Sequence, residues 1–378
     1  MQEMEHWRPL LHVALGQRAA LDAAPDGAAW RALYAEACRQ AVAAVFFTAV
    51  ERLPQQQRPP RPLLLEWMAR TRQVEQSNRR LDAEADRIMR RLRQDGVPAV
   101  LLKGRGVAHY YPDPSRRMTG DIDLWLGMRL ADIVAYARRY GAKARGDGAY
   151  SRGDGAKPRA TCLHVDLPFS AWAKVEAHAT PSFRYAPLVN RRLQRWLAAQ
   201  AAVQFSHRPD WAGPDSPLRV PTDRFNAVYL LLHLYRHYLS EGVGLRHLMD
   251  YYFLLARGSL SGAAEDVAAD LRFLGLERFA AAVMYVLTDL FRLPPELCPI
   301  APDAARGRVL LADVRLSGNF GQTDLRYGVP SAALSRPARF ARKCRRLLRF
   351  VADEPAEALS VPPFCVLHYC WRWWKGYA

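Results

Sequence analysis

Apolar and polar positions divide the chain into a helical stretch, a short stretch of different texture and a second helical stretch. Up to about residue 95, apolar residues recur at helical spacing, first in "AAWRALYAEACRQAVAAVFFTAVERL". The prolines of "PQQQRPPRPLL" interrupt that pattern as a loop. From Leu64 the spacing predicts a long amphipathic helix, with Trp67, Thr71, Val74, Leu81, Ala85, Ile88 and Leu92 along one side. Gly96 of "QDG" suits its C-terminal cap.

The texture then changes. "VPAVLLK" predicts a short buried strand, "GRGVAHYY" a brief helix closed by "PDP", and "DIDLWL" a second strand. "MRLADIVAYARRYG" is a helix with a glycine stop, and "GDGAYSRGDGAKPRA" a glycine-rich loop or wide hairpin. "TCLHVDLPF" and "KVEAHAT" predict two more short strands, so the order β-α-β-α-β-β implies a small α/β domain. From about Tyr185 helices return. "PTDRFNAVYLLLHLYRHYLSEGVGLRHLMDYYFLLARG" reads as two helices joined at "EGVG", with Thr222 or Asp223 capping the first and Gly258 ending the second. The expected organisation is α+β: a helical region over 1–95, a small mixed-sheet core over 96–184 and a helical domain over 185–378.

Composition narrows the class. Half of the 378 residues are hydrophobic, enough for a sizeable core. "MQEMEHWRPL" lacks the basic-then-apolar order of a signal peptide, and no run of about 18 apolar residues occurs. A cytoplasmic location without membrane insertion is therefore expected. The six cysteines are scattered without a C-x-x-C spacing, which predicts reduced thiols and no zinc ribbon. The net charge of +17 favours polyanions: nucleic acid, nucleotides or an acidic membrane surface.

The candidate chemistry lies in "LLKGRGVAHYYPDPSRRMTGDIDLWL". Strand alternation puts Asp121, Asp123 and Trp125 on one face of "DIDLWL", expected to be exposed, with Ile122, Leu124 and Leu126 packed inward. Two carboxylates side by side repel each other. A divalent cation relieves that repulsion, and Mg²⁺ (or Mn²⁺) favours one or two carboxylates plus phosphate oxygens. A third acid is sought nearby. Glu176 and His178 share a face of "KVEAHAT", and Glu176 is preferred to Asp166, which lies two residues before a proline. Lys103 and Gly104 fall where the first strand meets a helix start, a place for phosphate, and Arg117 suits phosphate or a pyrophosphate leaving group.

"LLKG…YYPDPSRRMTGDIDLWL…LHVDL…KVEAHA" resembles the uncharacterised nucleotidyltransferase family of the polymerase-beta-like superfamily. The resemblance continues through "YLLLHLYRHYLSEGVGLRHLMDYYFLL" and "SGNFGQTD". It implies that Asp121, Asp123 and a third acid hold the metals and that the Gly-containing helix start holds the triphosphate of an NTP, ATP foremost. The implied reaction moves a nucleoside monophosphate to an unidentified acceptor: sugar, peptide, small molecule or RNA. The rival readings are a catalytically silent nucleotide-binding or scaffold protein of the same fold, and a basic nucleic-acid-binding protein.

Other signals are weaker. His233 and His237 lie four apart on one helix but lack the glutamate of a zinc-protease helix, so packed histidines are expected, with His178, His237 and Arg246 as possible substrate contacts. "SRPARFARKCRRLLRF" carries seven basic residues and no acid over an apolar stripe, which reads as a solvated helix face. "FCVLHYCWRWW" is expected to dock on the core.

Overall fold

The computed structural model describes residues 6–146, 159–260, 262–330 and 333–377, with 141–146 as backbone alone. The predicted glycine-rich loop after residue 146 lies almost entirely outside them. In chain order the elements begin with α1 (Trp7–Ala14), α2 (Gly27–Arg39), α3 (Ala43–Arg52) and α4 (Arg61–Gln94). Then come β1 (Ala99–Leu101), α5 (Arg105–Ala108), β2 (Asp121–Leu126), α6 (Leu130–Gly146), β3 (His164–Asp166) and β4 (Lys174–His178). Helices follow: α7 (Pro187–Ser206), α8 (Asp223–Ser240), α9 (Leu245–Arg257), α10 (Ala264–Phe273) and α11 (Glu277–Phe291). The last are α12 (Ala304–Ser317), α13 (Arg336–Leu348) and α14 (Pro355–Lys375). This is the expected α+β fold with a small mixed sheet.

The residues group into two discontinuous compact units: Met1–Arg79 with Ala108–Met118 and Leu234–Lys343, and Arg80–Val107 with Thr119–His233 and Cys344–Ala378. The contiguous division at 95/96 and 184/185 follows changes of element type and remains a proposal; compactness groups residues by contact instead.

In the first unit the predicted helical run over "AAWRALYAEACRQAVAAVFFTAVERL" is two helices. Ala41 takes φ +58, and the Val42 N–H returns to the Ala37 carbonyl at 2.9 Å, ending α2 in a left-handed cap. No glycine marks this end, so periodicity passes over it. Trp30 and Trp67 anchor the core, and Trp67 Nε1–H donates to the Ala43 carbonyl at 2.8 Å. Every residue named for the inner side of α4 is buried. That helix ends as expected: Gly96 has φ +69 and the Val97 N–H bonds the Leu92 carbonyl.

The second unit holds the sheet, in the order β1-β2-β4-β3. β1 and β2 are antiparallel, β2 and β4 parallel, β3 and β4 antiparallel. One face carries Ala99, Leu101, Ile122, Leu124, Leu126, Val165, Val175 and Ala177, packed on Leu81, Ala85, Ile88 and Leu92 of α4 and Ile133, Val134 and Ala137 of α6. Two expectations are corrected here. Trp125 lies on the face expected to be exposed but is only 5% exposed, because Phe205 and Phe225 cover it. "FCVLHYCWRWW" does not dock as a whole: α14 turns Phe364 toward Phe183 and Tyr185, while Trp373 and Trp374 stay 74% and 73% exposed. In α13 Leu347 is buried while Phe340 and Leu348 are exposed, so only part of the expected apolar stripe is packed. The six cysteines are all free thiols.

Candidate functional site

The other face of the sheet is polar at one end, and register assembles it. Parallel pairing sets Asp121 beside Lys174 and Asp123 beside Glu176; antiparallel pairing sets Asp166 beside Glu176 and His164 beside His178. Because side chains alternate along each strand, all seven of these residues share one face. Four carboxylates thus meet two imidazoles and a lysine, all within the second unit.

Asp123 is the most enclosed. Its side chain is wholly buried, contrary to the exposed strand face expected, and Lys103 Nζ donates to its Oδ2 at 2.6 Å. His178 Nε2 lies 3.0 Å from its other oxygen. Burial opposes ionisation, yet Lys103 and His178 outweigh it and hold the Asp123 carboxyl down at about 2. The same exchange raises the Lys103 ammonium: burial alone would lower it, but Asp123 and Asp121 prevail. His178 is raised in the same way, against burial, by Asp123 and Glu176. Lys103 therefore lies on Asp123. The reason is a short strand end, with the Leu102 N–H bonded to the Asp123 carbonyl at 2.9 Å.

Glu176 accepts from Lys174 and lies 3.5 Å from both His178 Nε2 and His164 Nδ1. Burial works against its ionisation, but these neighbours push its carboxyl well below the usual range. His164 goes the other way: burial lowers it to about 4, so its imidazole is neutral near pH 7. Among the described residues, His164, Glu176 and His178 bring their ligand atoms within 4.8 Å of one another, a group able to hold a metal ion. Ionised carboxylates beside a neutral imidazole fit a divalent cation chemically. Lys103 and Lys174 already balance part of that charge, so a cation must compete with them.

Gly104 has φ +70, and a Cβ there would lie 3.2 Å from Thr119 Cγ2 and 3.7 Å from the Asp121 carbonyl. The following α5 is a single turn, so the expected helix-dipole contribution to phosphate binding is small.

Three other predicted contacts belong to the first unit. The Arg117 guanidinium forks onto Asp250 at 2.7 and 2.6 Å, and Tyr111 O–H donates to the same carboxylate at 2.7 Å. The Arg117 and Asp250 side chains are both buried in that ion pair. His237 Nδ1 lies 2.9 Å from Glu241 Oε2, and Arg246 donates to the Met118 carbonyl at 3.0 Å. Both flank Phe320, with the His237 ring centroid at 4.8 Å and the Arg246 guanidinium at 5.2 Å.

His164 and Lys174 escaped sequence reasoning. Alternation along "LHVDL" and "KVEAH" would have put each on the acid-bearing face, but only register brings them to Glu176.

The search of curated proteins returns no match. Among solved structures, the chain is similar to the crystal structure of an antigenic nucleotidyltransferase-like protein from Paracoccidioides brasiliensis. The identity is 14% and the TM-score 0.30, over 59% of this chain and 94% of that one. The family model described as uncharacterised nucleotidyltransferase matches residues 26–292, well over half of the chain and both strands that carry Asp121, Asp123 and Glu176. The chain therefore belongs to the uncharacterised nucleotidyltransferase family.

Proposed function

We propose that this protein moves a nucleoside monophosphate from an NTP, ATP foremost, to an acceptor hydroxyl or phosphate. The observation that carries the reading is the register of β2 on β4, which supports a shared cation site by setting Asp123 beside Glu176 with Asp121 on the same face. Asp121, Asp123 and Glu176 would hold Mg²⁺ or Mn²⁺, with the neutral His164 at hand as a nitrogen donor. Such a cation, when bound, neutralises phosphate charge and lowers the pKa of an attacking hydroxyl. The chain's own groups set the stage for it. Lys103 and His178 keep Asp123 ionised and oriented, and His178 with Lys174 does the same for Glu176. Lys103 is a cation beside any phosphate drawn to the carboxylates. The acceptor (sugar, peptide, small molecule or RNA) is not distinguished.

The silent nucleotide-binding or scaffold reading has one observation in its favour. Lys103 and Lys174 already occupy oxygens of Asp123 and Glu176 that a cation would need. Incubation with labelled NTPs and cell extract, followed by mass spectrometry of labelled products, separates the two. Nucleotidylated product that is lost with Asp121→Asn supports transfer. Mg²⁺–ATP binding by calorimetry with no labelled product favours the silent reading. Labelling unchanged by Asp121→Asn would remove the proposed site.

A further inference from the structure

Asp123 is a buried acid whose two oxygens are both engaged. Lys103 Nζ donates to Oδ2 at 2.6 Å, and His178 Nε2 lies 3.0 Å from Oδ1. The Asp123 side chain has no exposed surface, whereas that of Lys103 keeps 17%. The carboxylate is thus fixed inside a strand, and its cation rides on a flexible four-carbon stem that still meets solvent. The backbone sets this up, because the Leu102 N–H bonds the Asp123 carbonyl and holds the start of the Lys103 stem beside β2.

Asp121 shares the same ammonium. Strand alternation puts it on the Asp123 face, and both carboxylates draw on Lys103 strongly enough to raise it against its burial. One ammonium between two neighbouring carboxylates takes the charge position that a shared divalent ion requires. Two cations held there together would repel each other, so a metal ion enters only as Lys103 leaves. Lys174 is a lesser obstacle. It is 51% exposed and pairs with Glu176 on its own strand, a contact that water screens. An ammonium that leaves a buried carboxylate needs another anion. A triphosphate drawn to the carboxylates with its metal ion brings one to the same place.

We propose, building on the metal-site reading above, that Lys103 is an exchangeable counter-ion that couples metal entry to nucleotide entry. It neutralises Asp121 and Asp123 until the nucleotide arrives, then yields them to the divalent ion and moves to the triphosphate. The test compares two affinities in the full chain. Binding of free Mn²⁺ is read by electron paramagnetic resonance. Binding of the Mg²⁺ complex of α,β-methylene-ATP, a non-hydrolysable analogue, is read by calorimetry. Lys103→Met should bind free Mn²⁺ at least about tenfold more tightly than the wild type, and adding Asp121→Asn should cancel the gain. The Mg²⁺–analogue complex should bind no more tightly, since the lost contact to phosphate offsets the removed competitor. Lys103→Gln keeps a hydrogen-bond donor for Asp123 and should behave likewise, with urea midpoints reporting that each variant is folded. Measurable Mn²⁺ binding that is equal in the wild type and both variants overturns the inference and leaves the metal site standing. An equal rise in both affinities also overturns it, because Lys103 would then only obstruct the metal and never exchange. Failure of either ligand to bind any of these proteins would remove the metal-site reading itself, and the inference with it.

Discussion

Replacing Asp123 by asparagine tests both the site and the physics that assembled it. On an exposed strand, removing one of two neighbouring carboxylates would relieve repulsion and leave stability unchanged or slightly higher. The structure reverses that expectation. The Asp123 side chain is fully buried between Lys103 Nζ at 2.6 Å and His178 Nε2 at 3.0 Å, so the substitution strands an ammonium that is itself 17% exposed. Two routes size the loss. The fall of the carboxyl from 3.8 to about 2 corresponds to about 2 kcal/mol. Breaking a buried pair by removing one partner costs about 3–5 kcal/mol. Urea denaturation without divalent cation should therefore show Asp123→Asn destabilised by about 2–5 kcal/mol. Adding Lys103→Met should restore part of that loss, which a double-mutant cycle measures. The acid limb has the same origin. A carboxyl depressed on folding contributes its full stability above about pH 4, and loses it as pH falls toward about 2. That limb should be shallower in the asparagine variant. An Asp123→Asn protein as stable as the wild type, with no coupling to Lys103, would refute the buried-pair argument.

The third acid is decided by paired variants under saturating Mg²⁺. Glu176→Gln should keep nucleotide binding and lose turnover, whereas Asp166→Asn, on the outer strand β3, should retain at least about a tenth of the activity; the opposite pattern would exchange their roles. Glu357→Gln should destabilise the protein by about 3–5 kcal/mol, because it leaves the buried Arg184 guanidinium opposite a neutral amide; a loss below about 1 kcal/mol in urea titration would show the pair to be weakly coupled. Gly104→Ala should cost at least about 1–2 kcal/mol, since φ is +70 and the added Cβ meets Thr119; an unchanged thermal midpoint would mean that the turn relaxes freely.

Much of the fold is legible along the chain because near neighbours encode it. Alternation over "DIDLWL" marks β2 to the residue, and the inner side of α4 is readable because burial repeats with the helical turn. Gly96 announces the end of that helix; Ala41, in the same left-handed conformation, does not. Asp121, Asp123 and Glu176 are recognisable as acids on polar strand faces for the same local reason. What covers those faces is a different matter. Alternation says that Asp123 and Trp125 point one way, but not that Lys103 and His178 enclose the first while Phe205 and Phe225 enclose the second. His164 joins Glu176 only through the pairing of β3 with β4, and Arg117 turns to Asp250, 133 positions away. The outward face of α14 is likewise set by Arg184 and Glu357, 173 positions apart, and not by any local pattern. Periodicity encodes direction relative to an element's own axis. Burial, charge balance and exposure depend on which distant segment arrives on each side, and for this chain only the tertiary structure decided that.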